Sequence, residues 1–519
     1  MNAPAEGPLR VRLDGQAIEP AMASTVAGAF VRQVLNAPAL AEVTFADPPE
    51  EQMGKLRFGA RLSLAWGADA PLFEGEVTAM TCTRDRLGGQ VVRVRGYDPL
   101  HRLRKRQQVR TLEKISAAGL ARDAARSLGL SCRGGEAAPP RPFVIQYDQS
   151  DFELIVGLAG EAGYHLHLTD GELRLVDLGG EGETVTLRYG YELIEGSAEV
   201  NAESLRRSSG VEAVDLAHAQ VSRGRAEHVS QAASDARKAA LETFKGLGER
   251  TLTHRLDLDE DAARRLAQAD LDHAAARGAT LTATAVGDRR LRPAARVRIK
   301  GLGPLCDGSF VLSGALHLFT HEAGYQTEIW SEPPVAPRSS TRPLSTVGRV
   351  TAVDDPEDLS RVRVKLTACG DTESGWIPLV LPGAGEAKGL VTLPEPGDDV
   401  LLLFPDGDPA RAVVLGGLYG PRRPPGHDER QKDQTRALLL ATQSGAAIVL
   451  ETTQTKAEFR SGGGDALSFT PDKAELRTAH DLSIRADGAL TIEAKGDLTI
   501  EAAGHSVTIR AAAISLERG

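Results

Sequence analysis

Near the C-terminal end the sequence repeats with a strict period of eight: Asp481-Leu-Ser-Ile-Arg-Ala-Asp-Gly488, Ala489-Leu-Thr-Ile-Glu-Ala-Lys-Gly496, Asp497-Leu-Thr-Ile-Glu-Ala-Ala-Gly504. In an extended chain, successive side chains point to opposite faces. Leu482, Ile484 and Ala486 therefore share one face with their counterparts in the next two units, and Ser483, Thr491 and Thr499 face the other way. A glycine closes each unit, where a turn with positive φ is expected. The pattern drifts by one residue at His505-Ser-Val-Thr-Ile509 and ends at Ala513-Ile-Ser-Leu516. Looser strands precede it at Ala447–Glu451, Ala457–Arg460, Leu467–Phe469 and Glu475–Arg477, with a first one near Leu438.

The period constrains the fold by length alone. Eight extended residues span at most about 26 Å, at roughly 3.3 Å each. A single-chain coil of that perimeter would be a triangle about 9 Å on a side, whereas packed sheets stand about 10 Å apart. One chain cannot enclose a side-chain core at that size. Three chains can, each giving one strand per layer, and they also cover one another's strand edges. The octads thus predict an intertwined three-chain β-prism, with a meander of hairpins as the alternative.

At 519 residues the whole chain gives space for about three domains on the usual prior of roughly 150 residues each. Residues up to about 105 read mostly as strands, including Leu62–Trp66 and Gln90–Arg95, with a short helix expected over Met22–Leu35. Ser116 can cap a helix whose inner face is Leu120, Ala121, Ala124, Ala125 and Leu128, stopped by Gly129. Ser150 and Glu153 form the pattern of a capping box ahead of Phe152, Ile155, Val156 and Ala159, and Gly163 ends that helix before a strand at Tyr164–Leu168. Ala-rich helical spacing follows at about His228–Gly246 and Asp259–Arg277. Strands are expected at Thr280–Ala285, Ala295–Lys300, Phe310–Leu318 and Tyr325–Trp330. The stretch Ser331–Pro343 carries four prolines and no periodicity, which marks a linker. Beyond it, short strands at Gly348–Ala352, Arg361–Leu366, Trp376–Leu381, Gly389–Leu393, Asp399–Phe404 and Ala412–Leu418 have the spacing of a small antiparallel barrel. A second Pro-rich break spans Pro421–Gly426.

Several chemistries are weighed and set aside. Acidic residues outnumber basic ones by 71 to 61, a net charge of −10, which disfavours wholesale phosphate binding. From Arg349 to Arg411 the barrel region has 12 Asp and Glu against 6 Lys and Arg, and Trp376, Phe404 and Tyr419 are its only aromatics, a poor surface for single strands. No nucleic acid is expected as a partner. His165 and His167 lie two apart on one strand face and could share a metal, but no third ligand is near in sequence. Asp406-Gly-Asp408 reads as a tight turn and not a calcium loop, and Gly301-Leu-Gly303 lacks the Lys-Ser/Thr of a phosphate loop. The dense basic run Arg102, Arg104, Lys105, Arg106, Arg110 is expected to be a solvated or inter-subunit strap. Cys82, Cys132, Cys306 and Cys369 lie far apart, without ligand spacing, and read as small buried hydrophobes in a reduced chain. Catalytic residues, cofactors and metals are all expected to be absent.

A family resemblance rests on ordered motifs along essentially the whole sequence. Gly96-Tyr-Asp-Pro-Leu-His-Arg-Leu103, Arg110-Thr111, Gln149–Glu153, Gly163-Tyr164, Val211–Val214, Asp307-Gly-Ser-Phe-Val311, His317 and Gly324–Thr327 resemble the late-control protein D-like hub of phages. Val347–Val350, Asp354-Asp-Pro356, Arg361–Val364, Ser374-Gly-Trp376, Pro394-Glu-Pro-Gly-Asp-Asp-Val400, Phe404–Pro409 and Val414–Tyr419 resemble the OB-fold that follows it. Together with the octads, the chain resembles a VgrG-type spike protein of contractile injection systems. The resemblance implies a mainly β fold with some helices: β-barrel hub domains with α+β inserts, an OB-fold barrel, and a C-terminal trimeric intertwined β-helix. The implied boundaries are a hub over 1–330 (two barrel-like subdomains plus helices), a linker over 331–346, the OB-fold over 347–420, a linker over 421–436, and shaft and tip over 437–519.

It also implies a structural, non-enzymatic homotrimer. Its hub end would meet the tail tube and baseplate proteins. Its tip, with Ile514 and Leu516 as docking residues, would carry a PAAR-type cap or effector cargo, and it would touch a target membrane only on puncture. The 421–436 stretch is too short for an inserted lysozyme, and no effector domain is expected after the shaft. With no apolar leader in the first residues, the chain is expected to be made and assembled in the cytoplasm, within a particle that can be released. The alternatives are an OB-fold cargo adaptor and a tailspike-like glycan hydrolase, which would need paired carboxylates in a groove. Glu493 and Glu501 repeat, but their parity places them outward with the threonines.

Overall fold

A computed structural model of the chain describes residues 9–68, 70–136, 140–216, 218, 220–230, 248–304, 306–334, 344–420, 437–451 and 455–517. It divides into two compact units, Met1–Leu418 and Tyr419–Gly519.

In the first unit, an eleven-stranded sheet joins residues from both ends of the hub. Its central pairing sets Val26–Val34 between Leu40–Ala46 and Gly314–Thr320, so the first hundred residues and the stretch 279–330 share one sheet. The helix expected over Met22–Leu35 is therefore corrected: only Pro20–Ala23 is helical and Val26–Val34 is a strand. Alternate residues Ala29 and Val31 enter the core, and β-branched valines suit that pleated surface. The single strand expected over Phe310–Leu318 is also corrected. Gly308–Val311 pairs with Ala295–Lys300 in a three-stranded sheet, and Gly314–Thr320 pairs in the large one. The chain changes sheets at Gly314, where a Cβ would lie 2.2 Å from the Trp330 ring.

Residues between these strands form the inserts. The helix Ala117–Ser127 is capped by Ser116 Oγ, which accepts from the Gly119 N–H. The helix Asp151–Glu161 has the full capping box, with Ser150 and Glu153 each satisfying the other's backbone N–H. Both pack on the sheet containing His165–Thr169 around Leu120, Ala121, Ile155, Ala159, Leu166 and Leu173. Asp259 caps the third long helix, Glu260–Arg277, by accepting from the Ala262 N–H. The helix expected over His228–Gly246 lies outside the described residues from 231 onward, and residues 228–230 are not helical.

The OB barrel is a five-stranded antiparallel sheet in the order Thr372–Glu373, Arg363–Leu366, Ser345–Ala352, Asp399–Leu403, Val413–Leu418. Two expected strands are not regular strands. Trp376–Leu381 closes the barrel only by bridges at Ile377 and Leu379, because Pro378 and Pro382 lack the N–H of a ladder. Gly389–Leu393 is a loop in which Leu390 and Val391 stay exposed. The core of Val350, Val362, Val364, Leu366, Val400, Leu402 and Phe404 is completed by Ile145, a residue of the hub strand Arg141–Gln146.

In the second unit, strands Ala437–Ala441, Ala447–Glu451, Lys456–Arg460, Ala466–Phe469 and Ala474–Arg477 form an antiparallel meander, each paired to the next. The octads follow as extended chain bent at Asp487-Gly488 and Lys495-Gly496, with a turn at Ala503-Gly504. Of the three octad glycines only Gly504 has positive φ, at 75°, which corrects the expectation that each turn needs it.

Candidate functional site

Two surfaces of the second unit are built alike. In the meander, the register sets Leu438 opposite Leu450, Leu440 opposite Ile448, Ile448 opposite Phe459, Phe459 opposite Leu467 and Leu467 opposite Leu476. Every residue of that face is apolar, and Leu438, Leu440, Leu450, Phe459, Phe469 and Leu476 are exposed on it. The opposite face carries Glu451 against Lys456, Ala447 against Arg460 and Ser468 against Glu475. A sheet with one apolar side normally buries it.

The octads continue the theme. Leu482, Ile484, Leu490, Ile492, Leu498, Ile500, Val507 and Ile509 are all exposed, Ile492 at 68%. Among the described residues, 481–517 form no strand ladder within the chain. Among the described residues, the octads of the single chain enclose no core of their own. The docking residues expected at the tip, Ile514 and Leu516, are 59% and 94% exposed. The octads were found from their period; the apolar face of the meander was missed. Lys456-Ala-Glu-Phe-Arg460 alternates cleanly enough to reveal it, but Leu438-Leu-Leu440 and Ala447-Ile-Val-Leu450 are apolar on both parities and hide it.

The OB signature residues are structural pins. Asp355 accepts from Arg361 through both carboxylate oxygens, at 2.9 and 2.7 Å, and from the backbone N–H groups of Glu357, Leu359 and Arg361. The Arg361 hydrogen bonds hold the Asp355 carboxyl well below the usual carboxylate range. In Pro394–Val400, Gly397 adopts φ 95° and donates to the Val350 carbonyl, so the loop feeds Asp399–Leu403 into its ladder with Ser345–Ala352. Val347 and Leu403 stay exposed on the barrel exterior.

Other candidates resolve into internal contacts. Four residues of the basic run make contacts within the chain while staying partly exposed: Arg102 binds Glu76, Arg104 lies over the Phe152 ring, and Arg106 and Arg110 flank the buried Asp151. Arg102 and His101 hold the Glu76 carboxyl down at about 2. The Gly301-Leu-Gly303 backbone wraps the Asp307 carboxylate, which accepts from all three N–H groups. Asp406-Gly-Asp408 is a tight turn with Asp406 at φ 55°. The cysteines are corrected in part: only Cys369 is buried, and Cys82 is exposed. His165 and His167 are buried, and His317 is fully buried beside Tyr325 and Thr327. Among the described residues no cluster of three or more His, Cys, Asp or Glu is arranged to hold a metal.

The fold is mainly β, with an OB barrel whose core is shared with the multi-strand part before it. Residues 346–419 match the family described as the type VI secretion system/phage-baseplate injector OB domain. Residues 66–321 also match the Alg8 N-terminal domain, a span that cuts through the eleven-stranded sheet and leaves out its strands Val26–Val34 and Gly324–Trp330. No curated protein matches the sequence. Among solved structures, the chain is similar to a chain of the lidded Francisella PdpA-VgrG complex, at 8% identity and TM-score 0.56, covering 92% of this chain and 81% of that one. A chain of the half-lidded complex aligns at 9% identity and TM-score 0.52, covering 92% and 89%. An Escherichia coli component of the type VI secretion system aligns at 14% identity and TM-score 0.48, covering 79% and 100%. The chain shares the fold of these PdpA-VgrG complex chains, and its residues 346–419 are similar to the injector OB domain.

Proposed function

We propose that the chain is the central spike of a contractile injection system, acting as a homotrimer without catalysis of its own. The observation that carries this reading is the unpaired octad segment, whose apolar row is exposed along its whole length in one chain. Three chains would pair the strand edges and close the apolar faces of both the octads and the meander. Breaking such a shaft requires parting strands of three chains together, which suits a part driven forward by sheath contraction. The hub would seat on the tail tube and meet baseplate proteins. Ile514 and Leu516 would dock a PAAR-type cap or cargo, and the membrane would be met only on puncture. Assembly in the cytoplasm, with later release of the particle, fits four free cysteines.

The test is the solution mass of the intact chain and of a version ending at His480, by light scattering. A trimer that falls to monomer on truncation supports the reading; a stable monomer in both overturns the shaft. Tip docking is tested separately by binding of a PAAR-type protein after removal of Ile514–Gly519, and unchanged binding would sink it.

A further inference from the structure

The two histidines that the sequence offered as metal ligands sit at a seam of the hub, and their hydrogen bonds have a fixed polarity. Asn36, at φ 60°, is in the turn between Val26–Val34 and Leu40–Ala46. Its backbone N–H donates to the Leu166 carbonyl at 2.7 Å, and its Oδ1 accepts from the Leu166 N–H at 2.8 Å. The second contact fixes the amide orientation, because only the oxygen can accept. Nδ2, a donor only, is therefore the atom 3.0 Å from His165 Nδ1. His165 Nδ1 must accept, so the ring is neutral with its proton on Nε2.

The surroundings oppose a charge. His165 is buried, and His273 of the helix Glu260–Arg277 is close enough to repel it; burial first and His273 second lower it to about 4. His273 donates from Nε2 to the Pro334 carbonyl, with Arg277, Asp270 and Arg206 around it. On the neighbouring strand, Val176 stands opposite His165 and offers no charge. Two residues along, buried His167 meets Glu181 at 3.4 Å, with Arg174 and Arg292 near. No carboxylate among these groups makes a hydrogen bond to His165.

We propose that Asn36, His165 and His273 form an acid-released latch, which holds the turn between Val26–Val34 and Leu40–Ala46 of the eleven-stranded sheet against the α+β insert while His165 is neutral and lets go when it is protonated. A proton on Nδ1 would set donor against donor at Asn36 and cation beside His273. The turn at Asn36 would then lose a partner at the point where it is bound to His165–Thr169. The inference does not depend on the spike reading.

The experiment is hydrogen exchange by mass spectrometry on the full chain at pH 7.5 and pH 5. It follows peptides covering residues 33–40 and 164–170, with each variant compared to wild type at the same pH. With 6.5 in the open seam and about 4 in the closed one, opening should rise roughly 30-fold between the two conditions. His165→Asn keeps an acceptor for Asn36 and cannot titrate, so it should show no such rise. Asn36→Asp places a carboxylate where a protonated His165 donates, so its seam should be tighter at pH 5 than at pH 7.5. Equal protection of wild type at both values, or a His165→Asn variant as acid-sensitive as wild type, overturns the latch. If His165→Asn does not fold, Asn36→Asp decides, and an acid response like wild type's counts against it.

Discussion

The alternation of the octads makes adjacent residues behave oppositely. Ile492 belongs to the apolar row and Thr491 to the other face, although only one position separates them. Burying an isoleucine side chain contributes about 1.5–3 kcal/mol. Ile492 is 68% exposed in the single chain, so in the proposed trimer about 1–2 kcal/mol of that would come from the other chains, or roughly 3–6 kcal/mol over three copies. Ile492→Asp forfeits this and turns three carboxylates toward one another in an apolar interior, where an unpaired charge is far more costly. Thr491→Asp puts the same three carboxylates in water. Sedimentation velocity and thermal melting read the difference: Ile492→Asp should dissociate or melt well below wild type, and Thr491→Asp should match it. A wild-type-like Ile492→Asp, or a Thr491→Asp that dissociates instead, would refute the alternation.

Arg361→Ala should destabilise the OB barrel by about 3 kcal/mol, since it leaves the Asp355 carboxylate buried without its cation; a lowered melting temperature of the barrel checks it. The Asp355 carboxyl is depressed in the folded chain, so its contribution is present above its unfolded value of 3.8 and lost as pH falls below that, and Glu76 behaves alike between 4.5 and about 2. Measured from their own neutral baselines, Glu76→Gln and Asp355→Asn variants should therefore lose less stability than wild type as the pH falls from about 7 to about 2, which denaturant unfolding at the two pH values checks. Ile145→Ala should cost about 2–4 kcal/mol and expose the OB barrel to proteolysis, although the residue lies in the hub. Ser150→Ala, which breaks the capping box, should cost about 1 kcal/mol in denaturant unfolding.

Features set by neighbours in sequence were legible from the residues. Ser116 and Ser150 each cap the helix that their spacing announces, and Gly129 and Gly163 follow those helices with φ of 73° and 79°. Features set by distant partners were not. Val26–Val34 pairs on one side with its neighbour Leu40–Ala46, but its other side is covered by Gly314–Thr320, nearly three hundred residues on. Phe310–Leu318 divides because its halves find different sheets. Ile145 gives no sign in its own segment that it fills the OB core, since a buried valine or isoleucine reads the same in either body. The surfaces divide the same way. A strict period exposed the octad row, whereas the Asp355–Arg361 pair, quoted only as motif residues, has no periodicity to mark it as an ion pair.

The central claim is that three chains share one shaft. Native mass spectrometry of the intact chain tests it most directly. A dominant species of about 165 kDa, three times 55.1 kDa, is the predicted result. A single-chain species at 55.1 kDa, persisting at concentrations where the protein is otherwise folded, would contradict it.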